Sequence, residues 1–388
     1  MSKSPRLLLA ILALAAALIP AASASAAPNM EVAVQDDAVL LQQRYFDRNQ
    51  AYDLLRPMNA TRVRFNAIWV TMNGAQASQK TRPATPTYDF RSMDSAIATA
   101  RARGLKVLLT ITGPAPAWAN GKRQRGNPFR PNAKEYAKFV RAVVKRYKGQ
   151  VDTYALWNEP NHAAWLAPVK EQGKLYRELF LAGSKAVRSA DKKAKVLIGE
   201  TAPFARKKTT ATPPLQFLRD VTCATPRYTR AKRTCKPLVA DGYAHHPYDF
   251  DRAPTKAIPG ADNVSIATLG RLTTALDKLK AANLLKDRKG RALNVWLTEY
   301  GYFARKGANG KVFSESTRAK YLRQAFEIAQ KNPRVVSMLQ FLIVDKGDQT
   351  GPFNTAIVND GGTPKATYNA LVSWSRGAVA RGQIRAAR

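Results

Sequence analysis

Apolar, β-branched runs alternate with amphipathic helical segments along almost the whole of this 388-residue chain, and no other feature limits its fold so strongly. Strands that alternate with helices pair in parallel and carry their helices on the sheet's faces. The first apolar run spans residues 31–41, and 48–58 has helical periodicity. A strand is expected over 62–69. Ser92 is placed to cap a helix that stops at Gly104, and Lys106–Thr112 is the third strand. Asn132 is expected to cap the next helix, whose apolar stripe is Tyr136, Phe139, Val140, Val143, Val144 and Tyr147. Gly149 ends that helix, and 151–157 reads as the fourth strand.

The alternation continues with helix 175–189, strand 195–199, a shorter helix over 215–221 and strand Gly242–His245. Helix 266–283 leads to strand 294–298, helix 317–332 leads to strand 335–343, and 365–376 is the closing helix. Eight strand–helix units without a low-complexity linker predict an α/β fold, a (β/α)8 TIM barrel in a single domain. A doubly wound open sheet is the alternative, but no glycine-rich dinucleotide turn follows the first strand. The long stretches 73–88, 113–131 and 201–214 all follow strands, on the face where barrel enzymes build their sites.

Residues 1–26 read as a secretory signal peptide. Lys3 and Arg6 charge its start, residues 7–19 are unbroken apolar, and Ala24-Ser25-Ala26 suits cleavage. The barrel domain then spans 27–388, is expected to be secreted, and carries no transmembrane candidate in its mature part. The net charge is +36, or +34 once Lys3 and Arg6 are removed (36 − 2). The cations are scattered, with no zinc-finger spacing and no aromatic RNA-binding signature, so specific nucleic-acid binding is not expected. Solubility, adhesion to an anionic cell-envelope polymer, or attraction of an acidic polymer are the readings left open. In an exported chain, Cys223 and Cys235 read as a disulfide. The chain carries only His162, His245 and His246, which gives little support to a catalytic zinc of the usual kind, and no metal or cofactor is expected. A monomer is expected.

Two acidic residues end apolar strands. Glu159 stands in Trp157-Asn158-Glu159-Pro160-Asn161 after the fourth, and Glu299 stands in Thr298-Glu299-Tyr300-Gly301 after the seventh, 140 positions later (299 − 159). Paired carboxyl groups at strand tips suit glycosidic hydrolysis, in which one protonates the leaving oxygen and the other attacks or activates water.

Here the sequence resembles the clan A glycoside hydrolases, barrels with catalytic glutamates on strands four and seven, and most of all families 39 and 5. The run Trp157-Asn158-Glu159-Pro160-Asn161 is similar to their acid/base motif, and Thr298-Glu299-Tyr300-Gly301 to their nucleophile motif. The resemblance covers residues 39–368. It implies a retaining mechanism on β-glycosidic bonds, with Glu159 as acid/base and Glu299 as nucleophile, and a carbohydrate as partner. It also implies that Arg64 pairs with the nucleophile, that Asn158 binds the sugar 2-hydroxyl, and that Tyr248 of His246-Pro247-Tyr248 contacts the nucleophile.

His245 and His246 are adjacent on a strand and so point to opposite faces; the resemblance selects His246 for the site. Trp69, Trp118 and Trp165 lie in or beside post-strand loops and are candidate sugar platforms. Trp157, Trp296 and Trp374 read as packing. The eighth strand lacks the tryptophan many clan members place under the reacting sugar, and Phe341 is the nearest substitute. The alternative function is a barrel that binds wall or matrix glycan without cleaving it. A serine hydrolase would need a Gly-x-Ser-x-Gly elbow, and none is present.

Overall fold

In a computed structural model, which describes residues 29–304, 310–347 and 353–387, eight parallel strands close into one barrel. They are β1 (Glu31–Gln35), β2 (Ala60–Ile68), β3 (Lys106–Thr112), β4 (Thr153–Leu156), β5 (Lys195–Thr201), β6 (Gly242–His245), β7 (Val295–Leu297) and β8 (Val335–Phe341). Each pairs with its neighbours in sequence, and β1 closes the ring on β8. The main outer helices are α1 (Arg48–Asp53), α2 (Arg91–Ala102), α3 (Ala133–Tyr147), α4 (Gln172–Ala190), α5 (Pro214–Thr222), α6 (Leu269–Ala281), α7 (Glu315–Lys331) and α8 (Ala366–Ala380). A small two-stranded ladder, Leu238–Val239 with Leu285–Lys286, lies outside the ring. The expected signal segment falls outside the described residues. Among the described residues, no helix is long and apolar enough to cross a membrane.

Strand alternation sorts the side chains. Outward residues such as Val63, Phe65, Leu109 and Ile111 join the large core under the helices. The stripe on α3 read from the sequence is buried in full, and Asn132 caps that helix by accepting from the amides of Lys134 and Glu135. Inward residues Leu108, Ala155, Leu197, Ala244 and Trp296 form a second, smaller cluster that plugs the barrel's middle. Below this plug the buried Arg62 pairs with Glu31 and Asp152 and lies over the Trp296 ring. Above it the lining is again polar, and there the candidate site sits.

Several boundaries differ from the sequence expectation: the helix expected over 48–58 ends at Asp53, the second strand runs Ala60–Ile68, and three more differ for reasons visible in the structure. The first strand stops at Gln35, because the Asp36 carboxylate accepts from the Val39 amide and, just past the adjacent β8, from the amides of Ile343 and Val344. These bonds turn 37–41 into a helical loop. Helix α2 starts at Arg91, where the Asp89 carboxylate takes the Arg91 amide, so Ser92 is not its cap. The fifth strand continues past Gly199 to Thr201, with a register shift between those two residues. Cys223 and Cys235 form a disulfide.

Candidate active site

The polar layer above the barrel plug centres on Arg64, wholly buried near the middle of β2. Its guanidinium is a hub. Nη1 donates to Glu299 Oε1 at 2.7 Å and also to Gln35 Oε1; Nη2 donates to Asn158 Oδ1 at 2.7 Å and to Glu200 Oε2 at 2.6 Å; Nε donates to Thr110 Oγ1 at 2.9 Å and to Glu200 Oε1 at 3.1 Å. Two carboxylates therefore share one fixed positive charge. Their charges hold the guanidinium proton more tightly than in water, although burial works the other way.

Glu159 and Glu299 approach each other across this layer. Glu159, Glu299 and His246 each bring an oxygen or ring nitrogen to within 4.8 Å of one another. His246 Nδ1 lies 3.0 Å from Glu159 Oε1 and 3.6 Å from Glu299 Oε2. Burial pushes the imidazole down to about 4, so it stands neutral between two carboxyl groups. The Tyr248 hydroxyl donates to Glu299 Oε2 at 3.2 Å, and burial and the Glu299 charge raise that phenol well above its ordinary value. In charge and donor count the three-group cluster could receive a cation, but Arg64 already places a full positive charge against Glu299, which opposes one.

The two glutamates differ in setting. Burial pushes the Glu159 carboxyl up, while the His162 and Arg64 charges and the Trp165 side chain, a hydrogen-bonding neighbour, pull it down; the net is a raised acid. About a fifth of its side chain still reaches solvent. Glu299 instead accepts from Arg64 and Tyr248. A raised carboxyl beside one paired with a buried guanidinium is an arrangement that suits an acid and a nucleophile.

Backbone geometry delivers these groups. The chain turns sharply after β4: Trp157 has φ +74 and Glu159 φ +38, both in the left-handed region that non-glycine residues rarely enter. The turn is held by the Asn158 amide on Thr112 Oγ1 (3.0 Å) and the Glu159 amide on the Glu200 carbonyl (2.9 Å). Trp157 is buried edge-on to Tyr136 and donates to the Trp165 carbonyl. Strained positions of this kind gather at functional sites.

Of the residues named from sequence, Arg64, Asn158, Glu159, His246, Tyr248 and Glu299 converge here. The tryptophans divide. Trp69 is fully buried, stacked on Phe139 at 5.7 Å and edge-on to Trp118, so it offers no face to a sugar. Trp118 is half-buried and donates to Asn73 Oδ1. Trp165 is half-buried beside Glu159, the best placed of the three. His245 points away, bonded to Thr201 and the Val264 carbonyl. Trp296 and Trp374 are packing residues.

Sequence reasoning passed over Glu200, Gln35, Thr110 and Phe353. Phe353 is exposed and meets the rings of Phe341 (5.9 Å) and Tyr248 (5.4 Å) edge-on, giving an aromatic wall beside Glu299. A separate hollow of about 970 Å3 lies at the opposite end of the barrel, lined among others by Arg56, Ala60, Lys106 and Arg385. It contains no pair of carboxyl groups and is not the chemical site.

No protein-family model matches the chain, and no curated protein matches it. Solved structures do. A family 39 glycoside hydrolase from Bacteroides cellulosilyticus WH2 aligns with a TM-score of 0.64 at 17% identity, over 90% of this chain and 64% of its own. A monomeric β-xylosidase from Caulobacter crescentus CB15 gives 0.56 at 15%, over 89% of this chain and 69% of its own. Xylanase 10B from Thermotoga maritima gives 0.56 at 14%, over 91% and 97%. The fold is thus the single-domain (β/α)8 barrel that glycoside hydrolases of this kind use. At such identities the likeness extends to the fold, and this chain spans less than two thirds of the first of these enzymes.

Proposed function

We propose that this protein is a retaining glycoside hydrolase of the clan A type that cleaves β-glycosidic bonds in a poly- or oligosaccharide. The observation that carries the reading is the pairing of Glu159 and Glu299, oxygens within 4.8 Å, the first raised by burial and the second held by Arg64 and Tyr248. That spacing supports retention, which needs carboxyl groups about 5–5.5 Å apart, whereas inversion needs room for a water between them. Glu159 gives its proton to the leaving oxygen as Glu299 attacks the anomeric carbon. Water, deprotonated by Glu159, then releases the sugar from Glu299. Asn158 is placed by Arg64 to meet the 2-hydroxyl, and Trp165, Phe341 and Phe353 supply apolar surface for the sugar's CH faces.

The non-catalytic alternative is weaker, because a binding barrel has no use for a buried Arg64–Glu299 pair and a raised Glu159 beside it. An acidic glycan, as substrate or as the envelope polymer that holds a secreted enzyme, suits the charge. Lys122, Arg123 and Arg125 after β3, with Lys207 and Lys208 after β5, are exposed and take no part in an ion pair among the described residues. Their loops bond to both sides of the loop carrying Glu159, through Phe129 with Ala167 and His162 with Ala211. The test is hydrolysis of neutral and acidic β-linked polysaccharides and aryl β-glycosides, with the product anomer followed by proton NMR. A first-formed β-anomer, lost in Glu159→Gln and Glu299→Ala, is expected. No turnover on any member, with glycan binding unchanged in all three proteins, would leave the binding barrel.

A further inference from the structure

β5 loses register with β6 between Gly199 and Thr201, so Glu200 is the extra residue of a bulge. Its φ is +50, and that of Gly199 is +110. A Cβ on Gly199 would lie 2.5 Å from the Ala244 carbonyl oxygen, so only glycine permits this path. Along a regular strand Leu197 faces the barrel interior and Ile198 the helices, and Glu200 would follow Ile198 outward. The bulge turns it inward.

Inside, both carboxylate oxygens hold Arg64, at 3.1 Å to Nε and 2.6 Å to Nη2, and Thr110 Oγ1 donates to Oε1 at 3.1 Å. The remaining nitrogen of the same guanidinium, Nη1, donates to Glu299. The Glu200 backbone carbonyl meanwhile accepts the Glu159 amide at 2.9 Å. At 1% exposure Glu200 is beyond reach of a substrate. It touches the supports of both glutamates.

We propose that Glu200 is a positioning residue for the reaction: its carboxylate fixes the guanidinium that holds Glu299, and its carbonyl fixes the turn that carries Glu159. This rests on the glycosidase reading of those two residues. The two carboxylate oxygens of Glu200 hold Nε and Nη2, which leaves Nη1 turned to Glu299.

The experiment is Glu200→Gln, which keeps shape and an acceptor but removes the charge. On an activated aryl β-glycoside, kcat should fall about 100-fold, as for a displaced reacting group. KM should change little, since Glu200 does not reach the substrate. A structural role alone would lower the folded fraction and leave kcat per folded molecule in place. A second readout needs no turnover: the carboxyl-carbon resonance of Glu299, in protein labelled with [δ-13C]glutamate and assigned through Glu299→Gln, should move from its wild-type position at fixed pH. An unchanged kcat per folded molecule, or an unmoved Glu299 resonance, overturns the proposal.

If the wild type hydrolyses no glycoside, the glycosidase reading falls, while the resonance still decides whether Glu200 positions Glu299. Should Glu200→Gln fail to fold, Glu200→Asp carries the test. It keeps the charge but withdraws it by one methylene, so kcat should fall at least tenfold; full activity there overturns the proposal.

Discussion

Arg64 donates to Glu299 at 2.7 Å from one edge of a guanidinium whose other nitrogens hold Glu200, Asn158 and Thr110. A planar fork can serve these partners together because its donors diverge at fixed angles; an ammonium cannot. Arg64→Lys keeps the charge and loses the fork. We expect kcat/KM to fall by about 10²–10³ on a good aryl glycoside, in line with losing a preorganised electrostatic contact. Kinetics indistinguishable from wild type would mean that only the charge matters.

Glu159 is raised by burial and must be protonated to act as an acid. Activity should therefore decline as pH rises through the Glu159 value, which lies above that of an ordinary glutamic acid. In Glu159→Gln this alkaline limb should disappear. The loss of kcat should be about 10²–10⁴-fold for glycosides with basic leaving groups and far smaller for dinitrophenyl glycosides, which need no proton. Equal losses across the leaving-group series would remove Glu159 from the acid role.

Most of the barrel was legible because its elements obey simple periods. The α3 stripe and the Asn132 cap are local statements that packing had no reason to override. Glu159 and Glu299 were legible for the same reason: each ends an apolar strand, where a charged residue would otherwise be out of place. Glu200 meets that criterion too, at the end of Lys195–Thr201, but a strand read as ending at Gly199 leaves it in a loop. A bulge is set by cross-strand register, which one strand's own sequence does not carry. Trp69 shows the opposite failure. Its position beside a loop was visible in the sequence, but its stacking on Phe139 depends on where α3 docks.

If the cations flanking the Glu159 loop serve an acidic glycan, kcat/KM on such a polymer should fall steeply between about 0.02 and 0.3 M salt, as screening shortens the field. Activity on a neutral aryl glycoside should stay nearly level. Replacing Lys122, Arg123 and Arg125 with Gln should flatten the first curve and leave the second as it was. A uronate polymer and a phosphorylated one, assayed in parallel, separate carboxylate from phosphate recognition. Parallel salt curves for neutral and acidic substrates would dissociate the charge from catalysis.

The disulfide closes a short loop after α5, with Cys223 and Cys235 12 positions apart. Closing such a loop stabilises by about 3 kcal/mol in the chain-entropy model. Replacing both cysteines with Ser should lower Tm by roughly 5 °C, scaled for a chain of this size. The loop lies away from the Arg64 network, so kcat should not change. An unaltered Tm would show that surrounding contacts already order the segment.

His245 offers a stability test separate from catalysis. Its Nε2 meets the Val264 carbonyl at 3.0 Å, which requires a donor there, so Nδ1 must accept the Thr201 hydroxyl at 2.8 Å. The ring is thus held neutral in one tautomer, and burial pushes it down to about 3. The folded value lies below the ordinary 6.5, so the contribution is intact above 6.5 and lost as pH falls toward 3. At pH 4.5 the loss for a single such residue is about 2–3 kcal/mol. Asp36 runs the other way: burial raises it to about 6, so its contribution is present below 3.8 and lost as pH rises through 6. A difference between proteins isolates the histidine. His245→Gln should be less stable than wild type at pH 7.5, and the gap in Tm should close as pH drops to 4.5. A gap that stays constant across that window would mean the imidazole does not remain neutral when folded.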